Sequence, residues 1–375
     1  MTGGRLALAR GGRYPSGSRM GSPFHSRSFE GFVSAPLAIG LVYELFGSYP
    51  PRPGEPADAH VEYEPEATLL ALEAAVRWLG HRPVRLGRPH DVLAAGAKGD
   101  LGVDAALTIA EGYGSRNREA WAPVLLEMLG VPQLGSDALT LSLSLDKAWT
   151  RAVVAGAGVP VAPGRVVRDA REARTLEPPG GFPCFVKPRW EGSAKGIGPG
   201  SRADDRGALE DAVARVLADY GQPALVERFL EGAEYTVTLL GNDPPRSLPV
   251  LQRALDAGTR IGLHAVEAKP GEAAGGAAAR APRAHVLPGA LEPALEAELS
   301  ALAARAYDAL ECRDFARTDF KCDGAGRPFF LEINPLPSFA PEGSFGVLAA
   351  LLDRPLEDLL AEVLETGLRR LGLAR

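Results

Sequence analysis

The stretch Asp314–Pro337, DFARTDFKCDGAGRPFFLEINPLP, places an arginine, two carboxylates and a carboxamide on two short runs rich in Phe, Ile and Thr, separated by an Asp-Gly turn. If the loop is Asp323 to Gly326, Cys322 faces Arg327, so Arg317 lies opposite Glu332 and Asp319 opposite Phe330. Alternation then gathers Arg317, Asp319, Glu332 and Asn334 on one face and sends Thr318, Phe320, Phe329, Leu331 and Ile333 to the other as core. Hard oxygen ligands beside a guanidinium suit Mg²⁺ carried by nucleotide phosphates. A solvated face of an ordinary hairpin gives the same alternation, and the hairpin alone does not separate the two readings.

Further back, Lys187 ends an apolar run and precedes PRWEGSAKGIG, a small-residue loop able to bring backbone N–H groups and the Ser193 hydroxyl against phosphate oxygens. A plain surface turn would look similar without the lysine before it. Lys147, in LDK, reads alone as a helix-surface lysine, and Lys269 as an exposed loop lysine.

Five pieces in order resolve these alternatives: EGYGSRNREAWAPVLLEMLGVPQLGS, LTLSLSLDK, FPCFVKPRWEGSAKGI, QPALVERFLEGAEYTVTLLGN and the hairpin. Together they resemble the ATP-grasp superfamily and, within it, the D-alanine–D-alanine ligase-like family, from about Ala35 to the C-terminus. The resemblance implies an α/β ATP-grasp fold, with an N-terminal parallel α/β domain followed by two α+β subdomains that clasp ATP. It implies an ADP-forming ligation of two amino acids through an acyl phosphate, with Mg²⁺, or Mn²⁺ in its place, held by Asp319, Glu332 and Asn334. Lys187, Ser193, Lys147 and Lys269 then fall to the phosphates, Glu227 with the backbone of Arg228 and Phe229 to the adenine edge, and Glu234 to the ribose. Arg317 falls to the oxyanion of the tetrahedral intermediate, and Ser338 and Ser344 to the second substrate. The first serine of the loop, Ser193, also helps position substrate.

The chain departs from the family pattern around the first substrate. The Gly-Gly and Glu-x-x-Val-Ser pattern after the first strand is replaced by FGSYPPRPGE, the His-Gly by Glu111-Gly112, and the tyrosine beside the loop lysine by Pro270. Ala194 stands for a second loop serine, and Ser338 for a glycine near the oxyanion site. Glu111 is therefore the candidate acceptor for the first substrate's ammonium, with loop capping or ion pairing as its alternative. A different amino-acid or dipeptide ligase, and a catalytically silent nucleotide-binding protein, are the other functional readings.

The bulk composition fits two or three domains: 375 residues, 46% apolar and 23% charged. With 41 basic against 47 acidic residues, the net charge of −6 points to no nucleic-acid or anionic-membrane partner, so any anion site must be local. Cys184, Cys312 and Cys322 are odd in number and lack CxxC spacing, which favours packing thiols in a reducing, cytoplasmic setting. The histidines show no zinc-ligand spacing. No apolar run reaches the length of a membrane span. Amino acids are the expected small-molecule partners, and a homodimer is one assembly compatible with the resemblance.

Four segments are expected along the chain. Residues 1–34, Gly-, Ser- and Arg-rich with a single acid, read as a disordered arm. Residues 35–136 alternate strand and helix, as a parallel sheet requires, with a helix carrying Leu69, Leu72, Val76 and Leu79 and stopping at Gly80. Residues 137–226 form a central subdomain with strands at Arg165–Val167 and Cys184–Val186 and a helix at Leu209–Tyr220. Residues 227–375 hold strands at Glu234–Leu240 and Leu248–Gln252, a long helix, the hairpin and a closing helix, with a mobile loop expected at Glu267–Arg283.

Overall fold

The computed structural model describes residues 35–253, 255, 259–261, 287–288 and 291–374. The expectations for residues 1–34, the Glu267–Arg283 loop, Lys269 and Pro270 lie outside the described residues.

The first sheet is parallel, ordered β2-β1-β3-β4, from β1 (Ala38–Tyr43), β2 (Arg82–Gly87), β3 (Ala105–Ile109) and β4 (Gln133–Leu134). β1 and β3 are apolar and almost wholly buried, as central strands of a sheet covered on both faces must be. Helix α1 (Glu66–Trp78) lays Leu69, Leu72 and Val76 against this sheet. It ends before Gly80, whose φ of +76° turns the chain back toward β2. Tyr43 pairs with Ile109, so Glu44 and Glu111 leave the carboxyl ends of adjacent strands, where open α/β sheets bind ligands.

The second sheet is antiparallel, ordered β5-β8-β6-β7, from β5 (Gly164–Val167), β6 (Cys184–Pro188), β7 (Arg202–Ala203) and β8 (Ala224–Arg228). The helix Arg206–Tyr220 buries Leu209, Val213 and Val216 against it; Asp205 caps its first turn and Gly221 ends it. Glu227 lies opposite Phe185, so Lys187, two residues on, shares its face.

The third sheet is antiparallel and runs β12-β11-β9-β13-β14, with β10 (Arg246–Ser247) also on β9. Its members are β9 (Glu234–Leu240), β11 (Leu251–Arg253), β12 (Leu287–Pro288), β13 (Phe315–Cys322) and β14 (Pro328–Asn334). The expected Leu248–Gln252 strand is thus two short pieces around Leu248–Val250. The helix Pro293–Ala309 covers one face with Leu299, Leu302 and Tyr307.

The hairpin register differs from the sequence reading. Arg317 lies opposite Asn334 and Asp319 opposite Glu332, while beyond a bulge Phe320 pairs with Phe330 and Cys322 with Pro328. Two local causes act. The Asp323 carboxylate gathers the amides of Ala325 and Arg327 and the Arg327 guanidinium at 2.7–3.0 Å, so Arg327 belongs to the turn and does not pair with Cys322. Leu331 is then the extra residue, and a bulge of this kind inverts the phase of everything beyond it. Phe330 therefore fills the core against Phe320, in place of Phe329, and Leu331 joins the opposite face.

The closing helix Leu356–Arg370 does not serve the third sheet alone. Leu360, Val363 and Leu364 share a core with Leu69, Leu72 and the first sheet's Ile39 and Leu107. Among the described residues no helix is long and apolar enough to cross a membrane. The three cysteines are buried free thiols.

Candidate active site

A cleft lies between the second and third sheets. Its inner wall is a buried charge chain. Lys187 Nζ stands 2.8 Å from Glu227 Oε1, and the other Glu227 oxygen holds Arg151. Burial pushes the Lys187 ammonium below its ordinary value even with Glu227 beside it. Burial also pushes the Glu227 carboxyl up, but Lys187 and Arg151 outweigh it and hold it low. Phe185, Phe229, Leu230 and Ile261 supply apolar surface next to these charges, and Glu234 closes the end. Glu234 is held by Lys321 Nζ at 3.2 Å, with Arg253 at 3.9 Å.

At the other end, cross-strand pairing brings Asp319 and Glu332 together on the cleft wall. Thr236, opposite Asp319 on β9, donates to Asp319 Oδ1 at 2.7 Å, and Arg317 Nη2 lies 3.1 Å from Oδ2. Glu332 sits 3.2 Å from Lys147 Nζ and 4.0 Å from Arg317. Burial raises the Glu332 carboxyl and Asp319 adds to that, yet Lys147 and Arg317 bring it below its ordinary value. Two carboxylates directly opposed supply the hard oxygen donors that a divalent cation requires, with Arg317 and Lys147 as their counter-charges here. Asn334, next on the same face, accepts from the Leu336 amide at 2.9 Å through Oδ1, which fixes the orientation of its carboxamide.

The small-residue loop after Lys187 is clamped from the first sheet's side. Gly192 N donates to Glu62 Oε1 and Gly196 N to Asp58 Oδ2, both at 2.9 Å. A Cβ at Gly192 would fall 2.8 Å from that Glu62 oxygen, so a side chain there would push the Glu62 carboxylate aside. Lys195 lies 2.7 Å from Glu62 and 2.5 Å from Glu191, and Arg118 bonds the same two acids at 2.9 and 3.3 Å. Against its burial, Arg118 and Lys195 hold the Glu62 carboxyl down to about 2. Asp146 collects Arg189, Arg116 and the Trp190 indole at 2.7–3.2 Å, anchoring the start of the loop to the helix that carries Lys147.

Of the sequence candidates, Lys147, Lys187, Glu227, Arg228, Phe229, Glu234, Asp319 and Glu332 line one cleft. Arg317 and Asn334 adjoin it through the paired strands. Lys147 is buried, unlike a helix-surface lysine. Ser193 is exposed with φ +47° and the cleft wall at that point is Ala194. Ser338 accepts from Ala340 N, and Ser344 begins a helix beyond the hairpin; neither lines the cleft. Glu111 is half-buried near Arg118. Sequence reasoning missed Lys321, although alternation from Arg317 and Asp319 places it on their face. It also missed Glu62, Arg118, Glu119 and Lys195, whose signal was the charge density of DAHVEYE and RNRE without any clue to which acid meets which base.

Residues 153–365 match the family described as D-ala D-ala ligase C-terminus. A D-alanine–D-alanine ligase of Desulforudis audaxviator is 31% identical over 304 residues, covering 80% of this chain and 92% of the relative. An uncharacterized protein of Sinorhizobium fredii, y4sG, is 31% identical over 263 residues, 70% of this chain and 74% of that one. The crystal structure of a D-alanine–D-alanine ligase from Bacillus anthracis complexed with ATP superposes at a TM-score of 0.63 and 19% identity, over 89% of this chain and 98% of that one. The fold is the ATP-grasp fold. By a family match over residues 153–365 and by relatives aligned along most of their length, this chain belongs to the D-alanine–D-alanine ligase family.

Proposed function

We propose that the protein is an ATP-dependent, ADP-forming ligase that joins the carboxylate of one amino acid to the amine of another, with a first-substrate pocket rebuilt from the usual family pattern. The observation that supports it most is the single cleft into which Lys147, Lys187, Glu227, Glu234, Asp319 and Glu332 converge. Glu227 offers an acceptor to an adenine amine, and Glu234 an acceptor to a ribose diol. Lys187 and Lys147 place two ammonium groups along the polyphosphate, and Lys195 a third on the same wall. Asp319, Glu332 and Asn334 would hold Mg²⁺, which when bound neutralises phosphate charge. Lys269 lies outside the described residues and stays a candidate by resemblance.

In the reaction, the first amino acid's carboxylate oxygen attacks the γ-phosphorus and ADP leaves. The second amino acid's amine then attacks the activated carbonyl carbon, and phosphate leaves with the C–O electron pair while the amine loses a proton. Arg317, fixed by Asp319, is the donor for the oxyanion of that intermediate. Its guanidinium stays charged: burial works against the charge, but Asp319 and Glu332 raise its pKa. Glu111 is the acceptor proposed for the first substrate's ammonium, and Ser193, Ser338 and Ser344 are the remaining substrate contacts carried over from the family.

ADP release on adding single amino acids to the protein with ATP and Mg²⁺ tests the proposal. Asp319→Asn and Glu332→Gln should each lower turnover at least 100-fold with the fold retained by circular dichroism. Near-normal turnover of either variant at saturating Mg²⁺ would overturn the site.

A further inference from the structure

The charges at the carboxyl edge of the first sheet do not balance. Glu44, Glu62, Glu64, Glu111, Glu119 and Glu191 come together there, with Arg118 and Lys195 as counter-charges. Glu44 is bonded to the Tyr49 hydroxyl and, at 2.7 Å, to the Gly112 amide. Glu64 accepts from Thr68 at 2.7 Å. Glu62 and Glu191 divide Arg118 and Lys195 between them, and Lys147 is taken by Glu332. Glu111 and Glu119 are left over. Among the described residues neither carboxylate accepts a hydrogen bond or forms an ion pair within 4.0 Å.

Glu119 is 7% exposed, so bulk solvent does not supply the missing partner. It is held in a short 3-10 turn, Arg118–Ala120, whose position is set by the Arg118 bonds to Glu62 and to the Trp190 carbonyl. Gly112 lets the loop close on this turn, since a Cβ there would meet the Arg118 carbonyl at 2.6 Å. The Nε of Arg118 is also buried without a partner. Burial raises both free carboxyls, Glu119 to about 7, and each lies close enough to the other acids for repulsion to add to the effect. Arg118, next to Glu119 in the chain, bonds Glu191 on the cleft wall at 3.3 Å, which places the turn behind that wall.

Glu119, buried, and Glu111, half-buried, each without a bonded partner, describe a cation site. In a ligase of amino acids, the cation brought to such a site is a substrate ammonium. A neutral amino acid brings one ammonium and would leave one carboxylate unpaired. Building on the ligase reading, we propose that the first substrate is a diamino acid, with one ammonium group for Glu111, a second for Glu119, and its carboxylate free toward the cleft. Glu119 is then a specificity-determining residue for the side-chain amine.

The test measures ADP release by the full chain with 2,3-diaminopropionate, 2,4-diaminobutyrate, ornithine, lysine and alanine, in both hands. At least one diamino acid should exceed alanine tenfold or more in kcat/KM, and Glu119→Gln should cut that ratio at least tenfold while nucleotide affinity, read by titration, holds. Calorimetric titration with propane-1,3-diamine supplies a readout without turnover: binding should weaken at least tenfold in Glu119→Gln and in Glu111→Gln. If alanine equals or exceeds every diamino acid, or the ratio and the diamine affinity are the same in the variants, the two-cation site is wrong and the ligase reading stands. If nucleotide binds but no amino acid releases ADP, the ligase reading fails and takes this inference with it.

Discussion

At the residue scale, the cleft depends on buried charges that are each fixed by an opposite one. Lys187→Ala removes one charge-assisted phosphate contact and should raise the dissociation constant for ATP roughly tenfold or more. An unchanged titration curve would return Lys187 to a purely structural role with Glu227. Glu62 and Glu119 make a pair of opposite sign. The Glu62 carboxyl is held near 2, below its ordinary 4.5, so its stabilisation is complete above 4.5 and lost as pH falls toward 2. By that linkage its ion pairs contribute on the order of 3 kcal/mol at neutral pH. Glu62→Gln should therefore lower the melting temperature most between pH 6 and 8, with a deficit that shrinks in acid. Glu119 is raised to about 7, so its contribution is intact below 4.5 and lost as pH rises through 7. Glu119→Gln should be neutral at pH 4 and stabilising at pH 8. Melting curves of both variants at four pH values check the signs, and parallel profiles would contradict the account.

At the element scale, the hairpin shows what is legible in a sequence and what is not. Alternation placed Arg317, Asp319, Glu332 and Asn334 on one face, and β3, β9 and the helix after Asp205 could be read from apolar spacing and caps. The bulge at Leu331 could not be read, because Pro-Phe-Phe-Leu-Glu-Ile is as compatible with one phase as the other. What decides it is the Asp323 carboxylate holding Arg327 in the turn. Lys187 and its loop were legible as a local motif, whereas the Glu62 and Asp58 clamp on that loop was not, since its partners are more than a hundred residues apart in the chain. Deleting Leu331 should remove the bulge and leave Phe330 opposite Phe320 and Glu332 opposite Asp319, so that the two carboxylates stay on the cleft wall. Urea unfolding and ADP release by the deletion variant check this, and loss of both would mean that the bulge itself is needed to seat Glu332.

At the scale of the whole molecule, distant segments share one interior. The core under the first sheet takes Ile39 and Leu107 from that sheet, Leu69 and Leu72 from α1, Phe315 and Phe339 from around the hairpin, and Leu360 and Leu364 from the closing helix. Leu360→Ala should destabilise the protein by about 2–5 kcal/mol, the range for a fully buried leucine, and denaturant unfolding followed at Trp78 should show the loss as clearly as a probe on the second sheet. Separate transitions at the two probes would mean that the parts unfold independently.

The placement of the closing helix also bears on how the chain is made. A ribosome delivers the first sheet roughly 220 residues before the helix that covers it, a delay of about 10–45 s at ordinary elongation rates. Through that interval the side of α1 that packs on the closing helix has nothing to cover it. A chain cut short before Leu356 should leave that apolar face open to solvent, even though every residue lining the cleft has already been translated.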